Sequence, residues 1–258
     1  MRKLRIITLA IAGLLVLTAI AFAAQENTYT VSASTSPTTA GTTKKPVPVQ
    51  VKFGYTVGEK SQQRPALIKK YDINFAGLQV NGSLFPGCSQ AKIDQDQTDA
   101  NCPKGSLMGT GNVENAAGPT NDPTNRALSC HLDLKFYNSG KNKAALYLKG
   151  GPNDPRGAAK SCPLEVNKAI DANFVQTKKG TSLVFSVDDT LLHPAPGFDN
   201  AVINVNSVIK KVTKKVKGKT RGFFESFGGC KNKKRAITVT FTPVSGVAGK
   251  AQSLAACK

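Results

Sequence analysis

Apolar and polar residues alternate with a period of two along most of the chain, which is the pattern of β-strands with one buried face. The clearest stretch is LSCHLDLKFYNSGKNKAALYLKGG, where Leu132, Leu134 and Phe136 face one side and their neighbours face the other. A turn at NSGKNK follows, and the alternation resumes in a return strand with Leu146 and Leu148 on the apolar face. The stretch therefore predicts a β-hairpin.

The same alternation predicts strands elsewhere. IDANFVQTKKGTSLVFSV predicts a hairpin that turns at TKKG, and RAITVTFTP predicts a strand with Ile237, Val239 and Phe241 inward. YTVSASTSP and VPVQVKFGYTV predict a first strand pair, and YDINFAGLQVNG predicts a strand ending at an Asn-Gly turn. We interpret TTAGTTKK as a turn within the first pair, with a Thr/Ser-rich wall linker as the alternative.

The segment VNSVIKKVTKKVKGK fits two patterns. Val205, Val208, Ile209, Val212 and Val216 have helical spacing, with lysines on the other face. All five are β-branched, however, and such residues pack better on a sheet than in a helix. We favour a strand here.

About ten strands are predicted in total, separated by turn residues, and no long helix intervenes between them. The sequence therefore predicts an all-β fold, specifically an antiparallel β-sandwich of immunoglobulin-like or jelly-roll-like type. We expect it to occupy residues 24–258 as one domain or as two packed halves.

The first 23 residues predict a secretory signal peptide. Arg2, Lys3 and Arg5 form a basic region, an apolar run follows, and Ala21-Phe22-Ala23 has the small residues of a cleavage site. The alternative is an uncleaved membrane anchor. Cleavage would leave no further transmembrane segment, and we expect the mature protein to be secreted, either extracellular or associated with the cell wall.

All six cysteines follow the predicted leader, which favours three disulfides in an oxidising compartment. Six cysteines allow 15 pairings, and closing short loops costs the least entropy. We therefore predict pairing between sequence neighbours. A zinc-thiolate site is disfavoured because no Cys-x-x-Cys pair occurs. The predicted pairs are Cys88–Cys102, Cys130–Cys162 and Cys230–Cys257.

The net charge of +19 is concentrated in one segment, KKVTKKVKGKTRGFFESFGGCKNKKR, in which Glu225 is the only acidic residue. Such a segment attracts polyanions. In an exported protein these are anionic cell-wall polymers, acidic polysaccharides or lipid headgroups more often than nucleic acid. The alternative is that the lysines protect an edge strand and maintain solubility. The candidate anion-binding residues are Lys210, Lys211, Lys214, Lys215, Lys217, Lys219, Arg221, Lys231, Lys233, Lys234 and Arg235.

The stretch CSQAKIDQDQTDANCPKGSLMGTGNV contains acidic residues and glycines that suggest a ligand loop. Asp94 and Asp96 match the start of an EF-hand, but Gly105 stands where that loop needs its last carboxylate. The glycines lack the Lys-Ser/Thr pair of a phosphate-binding loop. We interpret the stretch as a disulfide-stapled turn that enters a strand, with a calcium site of another design as the alternative.

Little in the chain indicates catalysis. His131 shares a predicted strand face with Asp133, but no Gly-x-Ser-x-Gly nucleophile motif occurs. His193, in LLHPAPG, is interpreted as structural. Asp188-Asp189 could contribute to a glycosidase carboxylate pair, although nothing in the sequence selects a partner. We predict no catalytic residue, no metal and no cofactor.

Several stretches resemble uncharacterised secreted, disulfide-bonded β-sandwich proteins of actinobacterial type. They are the leader, FPGCSQAKID and CPKGSLMGTGNV, LLHPAPGFDN, and GFFESFGGC with KRAITVTFT before a final cysteine. The resemblance implies export, disulfides and an all-β fold, and it transfers no activity. The sequence thus predicts a non-enzymatic secreted or envelope-associated protein that binds an anionic polymer or surface. The alternative is a carbohydrate-active enzyme or a lectin-like module, which the absence of Trp weakens.

Overall fold

The computed structural model describes residues 25–126 and 128–258, so the predicted signal peptide at 1–23 lies outside the described residues. The all-β prediction is confirmed: sixteen strands account for most of the described chain, and the two α-helices are short. The strands are β1 (Asn27–Ser36), β2 (Val47–Pro48), β3 (Gln50–Glu59), β4 (Ile68–Ala76), β5 (Leu78–Val80), β6 (Leu107–Pro119), β7 (Leu128–Gly140), β8 (Lys143–Gly150), β9 (Val166–Thr177), β10 (Gly180–Ser186), β11 (Phe198–Ile209), β12 (Thr213–Val216), β13 (Lys219–Gly222), β14 (Phe224–Ser226), β15 (Lys234–Pro243) and β16 (Gly249–Ala256). The helices are α1 (Gln90–Asp96) and α2 (Asp189–Leu192).

Eleven strands form one antiparallel sheet in the order β1-β3-β11-β6-β7-β8-β9-β10-β4-β15-β16. The predicted hairpins β7–β8 and β9–β10 are confirmed, as is the first strand pair, β1 with β3. The ambiguous segment forms the end of β11 and the whole of β12, which confirms that it is extended. The extended conformation is the one that its β-branched residues favour.

The main sheet curls until its two edge strands, β1 and β16, lie side by side. The ring of Tyr29 in β1 stacks on Phe241 in β15 with 4.3 Å between centroids. The backbone N–H of Ala33 donates to the Ser253 hydroxyl of β16 at 3.1 Å. The inward faces of the strands consequently surround one apolar interior, which holds most of the buried side chains.

Because adjacent strands are antiparallel, their connections fall on two opposite ends of the curled sheet. We call the end where β3, β6, β8, β10 and β15 begin the upper end, and the opposite end the lower end. The upper-end connections are residues 37–49, 77–106, 141–142, 178–179 and 210–233. Helix α2 belongs to the lower-end connection 187–197.

The upper end is closed by two adjacent phenylalanines. Phe223 and Phe224 are buried, and Phe224 belongs to a small sheet, β2-β14-β5, that lies across this end. The ring of Phe223 meets those of Phe85, Phe136 and Phe174 edge to face, with centroids 5.9–6.2 Å apart. Such contacts stabilise beyond the area they bury. These side chains therefore plug the interior.

The three disulfides join Cys88 to Cys102, Cys130 to Cys162 and Cys230 to Cys257, as predicted. No described cysteine is free. Three disulfides in a chain of this size are typical of proteins that fold in an oxidising compartment. Within residues 25–126 and 128–258, no helix has the length and apolar character to cross a membrane.

Candidate anion-binding surface

The first half of the basic segment forms an exposed hairpin. Strands β12 and β13 pair antiparallel as a separate two-stranded ribbon, and the chain turns through Lys217 and Gly218, both with positive φ. The side chains of Lys214, Lys215 and Lys219 are exposed. Lys210 and Lys211, which precede the ribbon, are exposed as well. The hairpin thus presents its charge to solvent.

Three more predicted lysines lie on a tight turn beside the last disulfide. Lys231 and Lys234 form an isolated bridge across this turn, and Asn232 and Lys233 adopt positive φ. The Lys233 carbonyl accepts the N–H of Cys257 at 3.0 Å, which joins the turn to the cross-linked C-terminus. The three lysines are exposed. The disulfide therefore holds a second cationic cluster at the upper end.

Arg221 is only partly exposed, and its charge is already paired within the fold. Its guanidinium binds the carboxylate of Glu225 through Nε at 2.9 Å and Nη2 at 2.8 Å. Glu225 is fully buried and also accepts N–H groups from Gly222 and Gln79. The paired arginine anchors the base of the hairpin, because its charge is satisfied within the fold.

Arg235 is also removed from the predicted surface, because it is fully buried. It donates to the Ser226 hydroxyl and to the Gly228 carbonyl, whereas its Nε has no partner among the described residues. No described carboxylate lies within ion-pair distance of it, and burial lowers the pKa of Arg235 to about 10. This cation contributes to packing but does not contact solvent.

We expect Arg235→Met to leave the free energy of unfolding unchanged or to raise it by up to about 2 kcal/mol. Methionine fills similar space without a charge that must be desolvated and has no counterion. Denaturant unfolding at neutral pH measures the change, with Arg235→Lys as the charged control that we expect to be less stable. A loss above about 2 kcal/mol in Arg235→Met would mean that the hydrogen bonds to Ser226 and Gly228 outweigh desolvation.

The structure adds lysines that sequence analysis missed. They are exposed and belong to other upper-end connections or to the C-terminus. Lys258 is fixed there because its backbone bonds Thr38 and Ala40, and Lys179 because its carbonyl accepts the N–H of Gly77. The turns of an antiparallel sheet fall at two opposite ends, so assigning each of these lysines to a turn would have indicated that they gather at one end. The added residues are Lys44, Lys45, Lys141, Lys178, Lys179 and Lys258.

The nine exposed lysines of the basic segment and the six added ones form what we call the basic end. None of these fifteen has a carboxylate within 4.0 Å among the described residues. Exposed lysines without acidic partners produce a positive field that extends about one Debye length, roughly 8–10 Å at physiological salt. The geometry therefore suits an anionic partner larger than any one loop.

The acidic residues at this end are already engaged. Asp96 pairs with Lys92 at 3.0 Å, and hydrogen bonds from Lys92 and Asn101 lower its pKa. Burial raises the pKa of Asp99, but bonds from Lys135 and Tyr137 outweigh it and the pKa is lowered. These carboxylates, part of the stretch at 88–113, organise the stapled loop. In the described part of the chain, no group of three or more His, Cys, Asp or Glu side chains is placed to hold a metal ion.

The stapled turn has the predicted boundaries but contains α1, which was not predicted. Ser89 caps this helix by accepting the N–H of Lys92 at 3.2 Å. The turn enters β6, where added Cβ atoms on Gly109 and Gly111 would overlap the backbone of β11. Gly109 and Gly111 thus permit close packing of β6 against β11.

His131 and His193 take part in different contacts, and His193 Nε2 lies 3.8 Å from the Asp189 carboxylate. His131 Nδ1 lies 3.9 Å from Glu114, while Asp133 binds Arg156 at 2.8 Å, so the suggested His131–Asp133 contact is not formed. His193 Nδ1 lies 3.0 Å from Asp199 in the lower-end loop. Asp188 caps α2 and Asp189 is exposed. These contacts have structural roles, and no nucleophile completes either pair among the contacts that the structure describes.

An open cleft lies on the outer sheet face. Its walls include the polar side chains of Lys52, Asn112, Asp133, Arg156 and Asn206. Its one aromatic residue is buried. The cleft therefore lacks an exposed aromatic platform among the described residues.

Comparison with protein-family models, curated proteins and solved structures found no match.

Proposed function

We propose that the protein is a non-enzymatic binding protein that is secreted or associated with the cell envelope, and that it holds an anionic polymer at its basic end. The observation that carries the proposal is the gathering of fifteen exposed lysines from separate connections at one end of the sheet, none of which has a carboxylate within 4.0 Å in the part of the chain that the structure describes. The three disulfides and the leader predicted at residues 1–23 support the oxidising, extracellular setting.

The spread of the lysines favours a polymer over a small anion. They lie on separate connections, whereas a site for one phosphate concentrates its donors around a single point. A polymer with repeated negative charges can contact several loops at once and release its condensed counterions. Anionic cell-wall polymers and acidic polysaccharides have this character, and clustered lipid headgroups present it in two dimensions.

The test replaces four hairpin lysines with glutamine: Lys214→Gln, Lys215→Gln, Lys217→Gln and Lys219→Gln together. We expect affinity for poly(glycerol phosphate) and polygalacturonate to fall, and the slope of log affinity against log salt to become shallower by about 3. Neutral dextran serves as the uncharged ligand, whose binding should respond little to salt. Titration between about 50 and 200 mM salt measures both quantities.

A variant with the same charge change at the opposite end is the matched control. Lys69, Lys70, Lys149 and Lys250 are exposed and lie near the lower ends of their strands. Replacing these four with glutamine should change affinity far less than the hairpin variant does. Equal losses in both variants would mean that only net charge matters, and the basic end would then not be the site. Salt-independent binding to dextran would favour the carbohydrate-binding alternative.

A further inference from the structure

The curled sheet encloses an apolar chamber between its inward faces. Eight strands line it, from β3, β4 and β6 through to β11, and its volume is about 100 Å³. Leu134, Leu146 and Ile170 are typical of its wall. The Phe223–Phe224 plug lies at its upper end, and Leu191 and Leu192 of α2 cover its lower end. Native interiors contain few voids larger than a water molecule, so this space requires an explanation.

Two amide oxygens without partners among the described residues lie at the lower end of the chamber. They are Asn115 Oδ1 and Asn200 Oδ1, which come from β6 and β11 and are buried. Asn200 donates its amide N–H to the Leu191 carbonyl at 3.0 Å, which leaves its Oδ1 as an acceptor. The hydroxyls of Tyr55 and Tyr71 interact with each other. Buried polar atoms nearly always have partners, so the two amide oxygens indicate a group that the chamber receives.

The chemistry of the lining defines that group. The wall is apolar along its length, and none of the described lining residues is charged. A charged ligand would therefore lose its hydration without gaining a counterion. The amide oxygens of Asn115 and Asn200 accept hydrogen bonds, so the matching ligand carries a donor at one end. The narrow volume suits a chain better than a large ring system, which occupies pockets of roughly 300 Å³ or more.

We propose that the chamber binds a small aliphatic molecule that ends in an uncharged hydrogen-bond donor such as a hydroxyl. Its chain lies between the sheet faces, and its donor reaches Asn115 and Asn200 beneath α2. This site uses different residues from the basic end and does not depend on the anionic ligand proposed there.

The test measures binding of 1-hexanol, hexane and hexanoate to the full mature protein by isothermal titration calorimetry. We expect 1-hexanol to bind about tenfold more tightly than hexane, because only the alcohol satisfies the amide oxygens. Hexanoate should bind more weakly than the alcohol because its charge must be desolvated. In a series of longer alcohols, affinity should rise about fourfold per methylene until the chamber is filled.

Two variants locate the binding. Val205→Phe fills the chamber from β11 and should abolish binding of 1-hexanol, whereas the same change at the exposed Val175, outside the chamber, should not affect it. Asn115→Leu should preserve binding of hexane and remove the preference for 1-hexanol. It should also raise the midpoint of thermal unfolding, because it removes an unsatisfied polar atom. This variant keeps the test decisive if Val205→Phe does not fold.

Three results would overturn the inference. They are the absence of saturable binding of any of the alcohols, equal affinity for 1-hexanol and hexane in the unmodified protein, and unchanged binding of 1-hexanol in a folded Val205→Phe variant. Loss of polymer binding in the hairpin lysine variant has no bearing on this outcome, so the two proposals fail independently.

Discussion

Phe223→Ala is expected to lower the free energy of unfolding by about 4 kcal/mol. The Phe223 ring is fully buried and contacts Phe85, Phe136 and Phe174 at the upper end of the interior. Truncation removes its transfer free energy and leaves a cavity that the surrounding rigid strands cannot close. Urea unfolding followed by circular dichroism measures the change.

The control for this variant is Phe227→Ala in the same segment. Phe227 is only partly buried, so its truncation should cost less than half as much. A loss below about 1.5 kcal/mol for Phe223→Ala would show that the ring does not close the interior as described.

Glu225→Ala is expected to cost about 3 kcal/mol. The buried Glu225 carboxylate accepts two hydrogen bonds from Arg221 and one each from Gly222 and Gln79. Its removal leaves buried donors without an acceptor, which is the costly way to break a buried pair. Thermal and urea unfolding of the variant measure the loss, and an Arg221→Ala double-mutant cycle isolates the part that belongs to the pair.

The stability provided by Glu225 should depend on pH in one direction. Burial raises its pKa, but the bonds from Arg221 and Gly222 outweigh burial, so the pKa in the folded protein lies below its ordinary value. Its contribution is therefore fully present above the pKa of the unfolded chain, about 4.3, and is lost as pH falls through the folded value. The difference in stability between the unmodified protein and Glu225→Ala should narrow below about pH 4.5.

Asp96→Ala is the surface control for the Glu225 variant, because Asp96 forms a largely exposed pair with Lys92. We expect it to change stability by less than about 1 kcal/mol. If Glu225→Ala has an equally small effect, the buried network does not hold the base of the hairpin.

Local signals were enough to predict the strands and the disulfides. Alternation in LSCHLDLKFYNSGKNKAALYLKGG and RAITVTFTP reflects a pleated surface with one buried face, and this depends only on neighbouring positions. Ile237, Val239 and Phe241 are all fully buried, as the alternation predicted. The cysteines paired with their sequence neighbours, in line with the low entropy of short loops.

Some cations of the basic segment are exposed, whereas others are paired or buried. This difference depends on tertiary contacts that composition does not reveal. Charge alone made Arg221 and Arg235 appear equivalent to the lysines beside them. One signal was nevertheless present: Arg235 has the same parity as Ile237 and Val239 in the strand, which places it on the inward face. A second signal was Glu225, the single acid among eleven cations, which became the partner of Arg221.

The basic end and the chamber could not be predicted without knowing the topology of the sheet. Lys44, Lys141 and Lys179 are far apart in sequence and meet only because antiparallel strands return their turns to one end. Similarly, the residues lining the chamber have the pattern of an ordinary core. Only the curvature of the sheet shows that their side chains leave space between them.

The meeting of β1 with β16 bears on how the molecule behaves at high concentration. A sheet edge that ends in open water offers free amide and carbonyl groups as a template on which a second chain can add. Here each edge strand shields the other, with Tyr29 stacked against Phe241 and Gly249 leaving room for the Tyr29 ring. The main sheet therefore offers neighbouring molecules no free edge strand to extend, even at high concentration.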